Sequence, residues 1–345
     1  MTAVYDSFLR PINYLRISVT DRCNLRCVYC MPPEGIQLLP QEDILRYEEI
    51  AAIVGAAADL GISKIRITGG EPLARSGLVE LIRMLAAIPG IDDISLTTNG
   101  VLLAQHASAL KAAGLHRVNV SLDTLRPERF ARIARRPFLD RVMEGIAAAQ
   151  EVGLTPLKIN VVVMRGQNED EVLDFARLTL EREWHVRFIE VMPFVEVMPS
   201  VAGQPSEEGT CTQAVTSHRD GFVSAEEMRE AIRALGPLEP ASAHPGNGPA
   251  RYFRLPGARG TIGFISPVSE HFCFQCNRLR LTAHGRLRPC LLADYEIDVR
   301  EPLRSGAGRE ELRELIRNAI ICKPERHHLG EGGSAGTRPM VQIGG

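Results

Sequence analysis

Three cysteines lie within eight residues near the start of the chain, at Cys23, Cys27 and Cys30. Their C-x3-C-x2-C spacing could hold one metal centre, but a closed tetrahedral site needs a fourth ligand, and none is evident nearby. Iron–sulfur cubanes usually take four thiolates, so a three-thiolate loop leaves one iron free for an exchangeable ligand. The spacing therefore favours an open iron–sulfur site.

Three other uses of these thiols fit the spacing and the context less well. Structural zinc sites favour paired C-x2-4-C arms with four ligands. Disulfides fit poorly because nothing at the N-terminus resembles an export signal, and Asp6 and Arg10 interrupt any apolar segment there. A thioredoxin-like use of Cys27 and Cys30 would leave Cys23 without a role.

Length and composition set the broad class. A chain of 345 residues can form one large α/β domain with a smaller appendage. The net charge of −2 gives no reason to expect a nucleic-acid or membrane-surface partner. Asp59 interrupts the longest alanine-rich stretch, so no run reaches the roughly 18 apolar residues of a membrane span. We expect a cytoplasmic protein whose eight cysteines serve metal sites more than bridges.

Strands and helices are predicted to alternate six times in the first half of the chain. Repeated βα units imply a parallel sheet, here a partial (βα)6 TIM-like barrel of the α/β class. The predicted strands are Tyr14–Val19, Lys64–Thr68, Asp93–Thr98, Arg117–Ser121, Leu157–Val163 and His185–Val191. The predicted helices are Glu42–Leu60, Leu78–Ala87, Ala104–Ala113, Leu139–Glu151 and Glu169–Glu181.

Polar and apolar residues alternate along these strands. Closed eight-stranded barrels fill their interior with branched apolar side chains, so a polar inner face predicts a wider lumen that holds a polar ligand. The alternative is an open sheet with one solvated face, which is rare among parallel sheets. The polar face comprises Arg16, Ser18, Thr20, Lys64, Arg66, Thr68, Ser95, Thr97, Asn119, Ser121, Asp123, Lys158 and Asn160.

Candidate ligand groups recur where the predicted strands end, which is where barrel enzymes place their chemistry. They are Gly69-Gly70-Glu71-Pro72, Thr97-Thr98-Asn99-Gly100 and Ser121-Leu122-Asp123. Each could merely make a turn or start the next helix. Their recurrence at one end of successive strands favours a site, and a Gly-Gly pair lets the backbone approach a ligand closely.

The chain divides by composition into a barrel over 1–194, a loop or linker over 195–222 and a smaller C-terminal α+β region over 223–345. A helix is predicted from Ser224, with Glu227 three residues on as in a capping box, and two short strands within Arg251–Ile265.

This region carries a second C-x2-C-x13-C set. Its cysteines are Cys273, Cys276 and Cys290. It is again one ligand short, and zinc with an unseen fourth ligand stays open.

Arg278 and Arg280 follow the second cysteine set and would share one face of an extended segment. Arginine forks suit phosphate oxygens, although such residues could instead balance thiolate charge or lie in solvent. The chain has no G-x-x-x-x-G-K-[ST] stretch, so a nucleotide triphosphate would be held by side chains.

Residues Arg16–Met192 resemble the radical S-adenosylmethionine (SAM) superfamily, whose signature is this cysteine spacing together with an aromatic residue. The resemblance implies that Cys23, Cys27 and Cys30 hold a 4Fe–4S cluster. It also implies that reduction of the cluster cleaves SAM to a 5′-deoxyadenosyl radical, which takes a hydrogen from the substrate. The residues that would line SAM are Tyr29, Gly70, Ser121 and Met192.

Nearly the whole chain resembles the radical SAM lyases of molybdenum-cofactor biosynthesis that cyclise GTP. The resemblance implies conversion of GTP to (8S)-3′,8-cyclo-7,8-dihydroguanosine 5′-triphosphate, the first step of that biosynthesis. The further motifs that carry it are Ile65–Pro72, Leu96–Gly100, Asn119–Asp123, Arg187–Glu190, Gly263–Pro267, Cys276–Arg280, Leu287–Leu291 and the terminal Gly344-Gly345.

This second resemblance also implies ligand contacts and partners. A second 4Fe–4S cluster on Cys273, Cys276 and Cys290 would bind guanine, and the Gly344-Gly345 tail would reach the site. Arg16 and Lys158 are the candidates for a part in the chemistry. The implied partners are a flavodoxin or ferredoxin as electron donor and cyclic pyranopterin monophosphate synthase as recipient of the product, with the chain a monomer or homodimer. GTP would contact Arg16, Arg66, Thr97, Lys158, Arg278, Leu279 and Arg280.

Some features fit less well. Val195–Asp220 looks longer than the corresponding segment of the family, and Cys211 within it and Cys322 are interpreted as incidental thiols. His327 and His328 stay unassigned because adjacent residues do not share a face of a helix or strand. Two other functions stay open, a peptide-modifying radical SAM enzyme with an auxiliary cluster and a zinc-binding scaffold.

Overall fold

The computed structural model describes residues 4–192, 221–242, 248–328 and 340–344. The strands of these residues are β1 Tyr14–Ser18, β2 Lys64–Thr68, β3 Asp93–Thr98, β4 Arg117–Ser121, β5 Lys158–Val163, β6 His185–Glu190, β7 Glu239–Pro240, β8 Arg251–Arg254, β9 Thr261–Ile265, β10 Arg278–Leu281, β11 Arg286–Arg288 and β12 Ile297–Asp298. They form one sheet in the order β12-β11-β10-β1-β2-β3-β4-β5-β6-β9-β8-β7.

The helices of the described residues are α1 Tyr47–Asp59, α2 Leu78–Ala86, α3 Leu103–Ala112, α4 Pro127–Ile133, α5 Leu139–Glu151, α6 Val172–Glu181, α7 Ala225–Ile232, α8 Arg300–Arg304, α9 Arg309–Ile321 and α10 Met340–Ile343. Short 3-10 turns occur at Gln41–Asp43, Pro72–Ala74, Glu169–Glu171, Arg233–Leu235 and Cys273–Gln275. No helix in the described ranges combines the length and the apolar character needed to cross a membrane.

The six predicted strands lie side by side in chain order, which confirms the α/β barrel-like architecture. Two further strands extend their parallel arrangement, because β10 pairs in parallel with β1 and β9 pairs in parallel with β6. The parallel part of the sheet thus has eight strands where the sequence pattern predicted six. Counting βα units missed β9 and β10, which are neighbours in the chain but lie at opposite ends of the parallel part.

The C-terminal region is therefore built into the barrel sheet at both edges. Antiparallel β8 and β7 continue the sheet beyond β9, and antiparallel β11 and β12 continue it beyond β10. The division into 1–194 and 223–345 stays a prediction, since one continuous sheet crosses it. Residues 193–220, with Cys211, lie outside the described residues.

The alternation of side chains along the strands is confirmed. On β1 and β2, the apolar residues Leu15, Ile17, Ile65 and Ile67 are buried in one hydrophobic core with the helices. The polar residues between them face the opposite side of the sheet, where they line a cavity. The apolar set stabilises the barrel, and the polar set is left to bind a ligand.

The first helix begins later than predicted, at Tyr47 rather than Glu42. The amide of Leu45 donates to the carbonyl of Ala283, 2.8 Å away, and this contact holds the chain extended there. Glu49 then accepts a hydrogen bond from the backbone amide of Arg46 at 2.7 Å and starts the helix. A contact between distant segments thus overrides helical periodicity.

The predicted capping box of the C-terminal region is confirmed. The amide of Glu227 donates to the Ser224 hydroxyl at 3.2 Å, and the Glu227 carboxylate accepts from the Ser224 amide at 2.9 Å. Both interactions satisfy amides at the first turn of α7. The two predicted short strands are also present, as β8 and β9.

Gly260 at the entry to β9 offers a test of the fold. A Cβ there would lie 2.0 Å from the carbonyl oxygen of Trp184, so Gly260→Ala should lower the free energy of unfolding by about 1–3 kcal/mol. The matched control is Gly55→Ala inside α1, where the nearest group is the Arg309 guanidinium at 3.9 Å. Because alanine favours helix, Gly55→Ala should raise the free energy of unfolding by up to about 1 kcal/mol. Urea unfolding with equal midpoints for the two variants would contradict this packing.

Candidate active site

Both cysteine sets lie on one cavity of about 290 Å³. The first set follows the carboxyl end of β1, whereas Cys273 and Cys276 come before the amino end of the parallel strand β10. Between the two sets, the polar face of the sheet supplies the wall. The lining residues include Arg16, Arg66, Thr68, Thr97, Ser121, Asn160, Arg187, Arg278 and Arg280. The predicted polar lumen is therefore a cavity with a cysteine set at each of two places on its wall.

The first cysteine set follows β1. Burial raises the pKa of the Cys23 thiol to about 11, although hydrogen bonds to its sulfur partly offset this. Burial also raises the pKa values of Cys27 and Cys30. Thiolates in such a place need a bound cation, because burial disfavours the charged form and a metal stabilises it. These residues are therefore suited to bind a metal centre.

The Gly69-Gly70-Glu71 turn after β2 supports the first cysteine loop. The Gly70 amide donates to the Thr20 carbonyl at 2.6 Å, and the Glu71 amide donates to the Arg22 carbonyl at 2.8 Å. A Cβ at Gly70 would lie 2.3 Å from the Arg22 carbonyl oxygen, which excludes any larger residue. The close backbone approach expected for a ligand is therefore made to the chain just before Cys23.

Glu71 joins this turn to the end of β3. Its carboxylate is buried and accepts hydrogen bonds from the Thr98 hydroxyl and the Asn99 amide, both at 2.7 Å. The Asn99 side chain donates in turn to Asn24 at 2.7 Å and toward the Cys23 sulfur at 3.8 Å. The strand-end motifs therefore position the first cysteine loop, which a purely local capping role would not require.

Asp123 after β4 has a similar role toward Tyr29. The Tyr29 hydroxyl donates to Asp123 at 2.7 Å, and the Val162 amide donates to the same carboxylate at 2.9 Å. Burial raises the pKa of Asp123 to about 6, against the effect of these hydrogen bonds. The contact fixes the aromatic ring of the cysteine loop against β4 and β5.

Two buried cations, Lys323 and Arg10, hold the second cysteine set. Lys323, after α9, donates to the carbonyls of Arg278 at 2.9 Å and Pro289 at 2.6 Å. Burial alone would raise the pKa of Cys276, but the charges of Arg278 and Lys323 lower it to about 6. One thiol of this set is therefore prepared to bind a metal as the thiolate.

Arg10 fastens the same set from the N-terminal segment. Its guanidinium pairs with buried Asp6 at 2.6 Å and donates to the carbonyl of Cys273 at 2.8 Å. It also donates to the carbonyls of Pro324 at 2.7 Å and Glu325 at 2.8 Å. Arg10 thus joins the loop of the second set to the chain that follows α9.

The spread of the sulfur atoms distinguishes a cluster from a single ion. Ligand sulfurs around one tetrahedral zinc lie about 3.8 Å apart, given zinc–sulfur bonds of about 2.3 Å. In the described residues, neither cysteine set brings three sulfurs within 4.8 Å of one another. Thiolates on different irons of a cluster lie farther apart. Both sets therefore fit a cluster better than a single zinc ion.

Three arginines lie side by side in the cavity wall. In the parallel register, Arg16 of β1 is opposite Arg280 of β10 on one side and Arg66 of β2 on the other. Burial, with repulsion from Arg280 and Arg66, lowers the pKa of Arg16. Burial, with repulsion from Arg278, lowers the pKa of Arg280 to about 9. An anion in the cavity would relieve this repulsion.

Carboxylates do not neutralise most of this wall. Within the described residues, no ion pair involves Arg66, Arg187, Arg278 or Arg280, whereas Arg117 deeper in the barrel pairs with Asp93. The Arg187 guanidinium donates to Asn119 at 2.8 Å, and Arg280 donates to the Gly344 carbonyl at 2.8 Å. The cavity therefore offers a positively charged surface to a polyanion.

Lys158 lies below the cavity and not on its wall. Burial lowers its pKa to about 6, with further contributions from the charges of Arg187, Arg117 and Arg66. The side chain is 2% exposed. Its amine therefore loses its proton more readily than an exposed lysine, and a nearby negative charge would favour the protonated form.

Most residues predicted for the site do face the cavity. The list comprises Arg16, Tyr29, Arg66, Gly70, Thr97, Ser121, Met192, Arg278, Arg280 and both cysteine sets. Leu279 is different, because its side chain is fully buried in the hydrophobic core on the opposite face of β10. Neighbouring residues of a strand point to opposite faces, so the Leu279 side chain does not face the cavity, and the contact of Leu279 with GTP stays a prediction.

The C-terminal tail enters the cavity. Met340 and Val341 line it, and Gly344 lies between Ser18 and Thr68, where a Cβ would come within 2.9 Å of each side chain. Gly344 has φ +71°, a conformation that glycine adopts readily. Gly345 lies outside the described residues.

Several residues that line the cavity were not predicted for the site, and among them Arg187, Lys323 and His327 carry basic side chains. Extending the alternation rule to β6 would have found Arg187, since it lies between buried Val186 and Phe188. Lys323 and His327 follow a helix, and no local pattern marks them. Their place depends on how α9 packs against the barrel.

Comparisons with known proteins agree with this geometry. The Radical SAM superfamily profile matches residues 17–179, and the Molybdenum Cofactor Synthesis C profile matches residues 184–329. A GTP 3′,8-cyclase from Pelotomaculum thermopropionicum is 56% identical over 341 residues, with 99% of each chain covered. One from Moorella thermoacetica is 53% identical over 340 residues, again with 99% of each chain covered. The chain belongs to the GTP 3′,8-cyclase family. Its radical SAM domain implies SAM and a 4Fe–4S cluster as cofactors.

Solved structures share the fold of this GTP 3′,8-cyclase family member. Streptococcus suis SuiB bound to its precursor peptide SuiA has a TM-score of 0.60 at 13% identity, covering 95% of this chain and 74% of SuiB. The structure of anSMEcpe with bound AdoMet has a TM-score of 0.54 at 14% identity, covering 92% of this chain and 82% of anSMEcpe. At these identities the likeness shows the fold alone, and it confirms the radical SAM architecture.

The Arg10 contacts can be tested without metal. Arg10→Met leaves the Asp6 carboxylate buried without its cation, so the free energy of unfolding should fall by about 3 kcal/mol or more. Cys273 should also react faster with a thiol reagent, as followed by mass spectrometry of alkylated peptides. Arg233→Met removes an exposed pair with Glu230 and is the control. Equal Cys273 reactivity in the two variants would show that Arg10 does not hold the second loop.

Proposed function

We propose that this chain converts GTP to (8S)-3′,8-cyclo-7,8-dihydroguanosine 5′-triphosphate, as a radical SAM lyase in the first step of molybdenum-cofactor biosynthesis. One observation carries the proposal. Two three-thiol sets, each one ligand short of a closed cubane, face one cavity with a wall of guanidinium groups between them. Family membership and the Molybdenum Cofactor Synthesis C match support the same substrate.

Cys23, Cys27 and Cys30 would hold the cluster that binds SAM. When bound and reduced, that cluster supplies the electron that cleaves SAM to a 5′-deoxyadenosyl radical, which abstracts hydrogen from the substrate. Tyr29, Gly70, Ser121 and Met192 would surround SAM. The hydrogen bond from Tyr29 to Asp123 keeps the aromatic ring in place.

Cys273, Cys276 and Cys290 would hold a second 4Fe–4S cluster and present its open iron to guanine. The triphosphate would contact Arg16, Arg66, Arg278, Arg280 and Thr97, and Arg187 extends this surface. Guanidinium forks bind phosphate oxygens in pairs, which fixes the nucleotide as well as neutralising it. The sugar would then lie between base and triphosphate, in reach of the first site.

Arg16 and Lys158 are the candidates for a role in the chemistry. The lowered pKa of Lys158 supports it as a proton donor or acceptor, because an amine that titrates near neutral pH can move a proton in either direction. Arg16 stays charged and would hold the triphosphate beside it. By the family resemblance, the Gly344-Gly345 tail would reach into the active site.

The partners follow from the same proposal. A flavodoxin or ferredoxin would reduce the first cluster, and the product would pass to cyclic pyranopterin monophosphate synthase. A monomeric or homodimeric state and a cytoplasmic location stay predictions from the sequence. The peptide-modifying alternative has no support from the cavity, whose charged wall suits a polyanion.

The proposal is tested by anaerobic reconstitution of the full chain with iron and sulfide, followed by incubation with GTP, SAM and dithionite. We expect 5′-deoxyadenosine together with a nucleotide of the same mass as GTP but a bond between C3′ and C8. Intact GTP beside 5′-deoxyadenosine would reject the substrate. About two zinc atoms per chain without labile sulfide would instead support a zinc-binding scaffold.

Substitutions should separate the two cysteine sets. Cys23→Ser should abolish 5′-deoxyadenosine formation, because SAM loses its cluster. Cys276→Ser should keep 5′-deoxyadenosine formation but lose at least about 90% of the cyclised nucleotide, because the second cluster orients the substrate. Cys322→Ser, an exposed thiol outside both sets, is the control and should match the parent chain. Equal losses of both products in Cys23→Ser and Cys276→Ser would contradict the division of roles.

The lowered pKa of Lys158 predicts that GTP affinity depends on pH. Because the pKa is about 6 in the empty site, a bound triphosphate that raises it makes Lys158 take up a proton. GTP affinity, measured by calorimetry without SAM, should therefore fall as pH rises above about 7, by up to about tenfold per pH unit. Lys158→Met should flatten this dependence, whereas Lys111→Met at an exposed site should keep it. A parent chain whose GTP affinity does not change between pH 7 and 9 would contradict the account.

A further inference from the structure

His271, Cys273 and His327 form a compact group beside the second cysteine set. Each offers one ligand atom, and the three atoms lie within 4.8 Å of one another. It is the one such group of histidine, cysteine and acidic side chains in the described residues. The sequence places His327 next to His328, but its partner in the fold is His271.

The distance between the two imidazoles suits a metal. Nδ1 of His271 lies 3.3 Å from Nε2 of His327, and the rings meet edge to face with centroids 4.6 Å apart. Two nitrogens bound to one tetrahedral zinc ion at about 2.0–2.1 Å would lie about 3.3–3.4 Å apart. A hydrogen bond between neutral imidazoles has a similar length, and metal titration of histidine variants distinguishes the two.

The group is also held in place by the surrounding chain. His271 and Cys273 come from one short segment, and His327 comes from the segment after α9. Arg10 donates to the carbonyls of Cys273 and Glu325, so one guanidinium fixes both segments. Ligands from two segments tied together in this way form a preorganised site, which needs little ordering when a metal binds.

We propose that the metal-free chain binds one zinc-type divalent ion at His271, Cys273 and His327, with a solvent molecule as fourth ligand. Imidazole and thiolate together suit zinc, and the mixed set fits a tetrahedral site. Cys273 is also a ligand in the proposed second cluster. Bound zinc therefore excludes that cluster, and this consequence rests on the proposed function, whereas the ion site itself does not.

Cobalt reports the site directly. Co²⁺ is titrated anaerobically into the metal-free full chain, where tetrahedral binding gives visible bands and a sulfur-to-cobalt charge-transfer band. His271→Gln and His327→Gln should each weaken Co²⁺ binding at least about tenfold. His328→Gln, the adjacent histidine outside the group, should leave it unchanged. A chain with Cys276→Ser and Cys290→Ser should still bind, because neither thiol belongs to the group.

Two results would overturn the site. One is equal Co²⁺ affinity in the parent chain and both histidine variants, as expected if the imidazoles only hydrogen-bond to each other. The other is loss of binding in the Cys276→Ser, Cys290→Ser chain, as expected if the three thiols alone bind the ion. Circular dichroism and urea unfolding of each metal-free variant check that it is folded. Because His271 is exposed and His327 is buried, we expect His271→Gln to disturb the fold less than His327→Gln.

Competition with the second cluster is measured separately. Reconstitution with iron and sulfide should give about eight irons per chain, and one equivalent of Zn²⁺ added first should lower this to about four. The double variant His271→Gln, His327→Gln should restore about eight irons in the presence of zinc. An iron content that zinc does not change would reject the exclusion. A chain that never exceeds four irons would instead refute the proposed second cluster and leave the cobalt result standing.

Discussion

The main constraint on the structure is that three guanidinium groups lie at the same register position of neighbouring parallel strands. Arg280, Arg16 and Arg66 are successive partners across β10, β1 and β2, on the face that lines the cavity. Strands in a sheet lie about 4.8 Å apart, so burial of three neighbouring cations without an anion is unfavourable. The apolar face of the same strands offsets that cost by packing under the helices, and it leaves the arginines facing a space that suits a polyanion.

The placement of β10 makes this arrangement possible. Because β10 pairs in parallel with β1, it brings Arg278 and Arg280 to the cavity and places the second cysteine loop, which precedes it, at the opposite end of the strands from the first loop. At the opposite edge of the parallel part of the sheet, β9 pairs with β6. The Val268–Ser269 segment follows β9, and its amides donate to Glu190 at 3.0 Å. The C-terminal region thus completes the cavity from both sides, which a separate appendage could not do.

Local sequence predicts those parts of the molecule that local physics determines. Strands β2, β3 and β4 begin and end where their alternation and turn residues indicate, and the inward position of Arg16 and Arg66 follows from a period of two. Pairing between distant segments does not follow from local sequence. The neighbours of β10, the start of α1 at Tyr47 and the approach of His327 to His271 all depend on tertiary contacts, which no local pattern encodes.

Leu279 shows the same limit in a single residue. It lies within the motif whose flanking arginines line the cavity, yet its side chain belongs to the core. Family resemblance assigns a role to every residue of a motif. The pleat of the strand, however, turns only alternate side chains toward the cavity. Arg187 shows the reverse, since the pleat of β6 places it on the wall without any role assigned in advance.

The central claim is that the two cysteine sets serve one reaction in one cavity. A single turnover under anaerobic conditions with GTP deuterated at C3′ tests it most directly, with mass analysis of the 5′-deoxyadenosine released. The account predicts that 5′-deoxyadenosine carries one deuterium from GTP, because the radical formed at the first site reaches the ribose of a nucleotide held at the second. Unlabelled 5′-deoxyadenosine from a reaction that consumes SAM would contradict it.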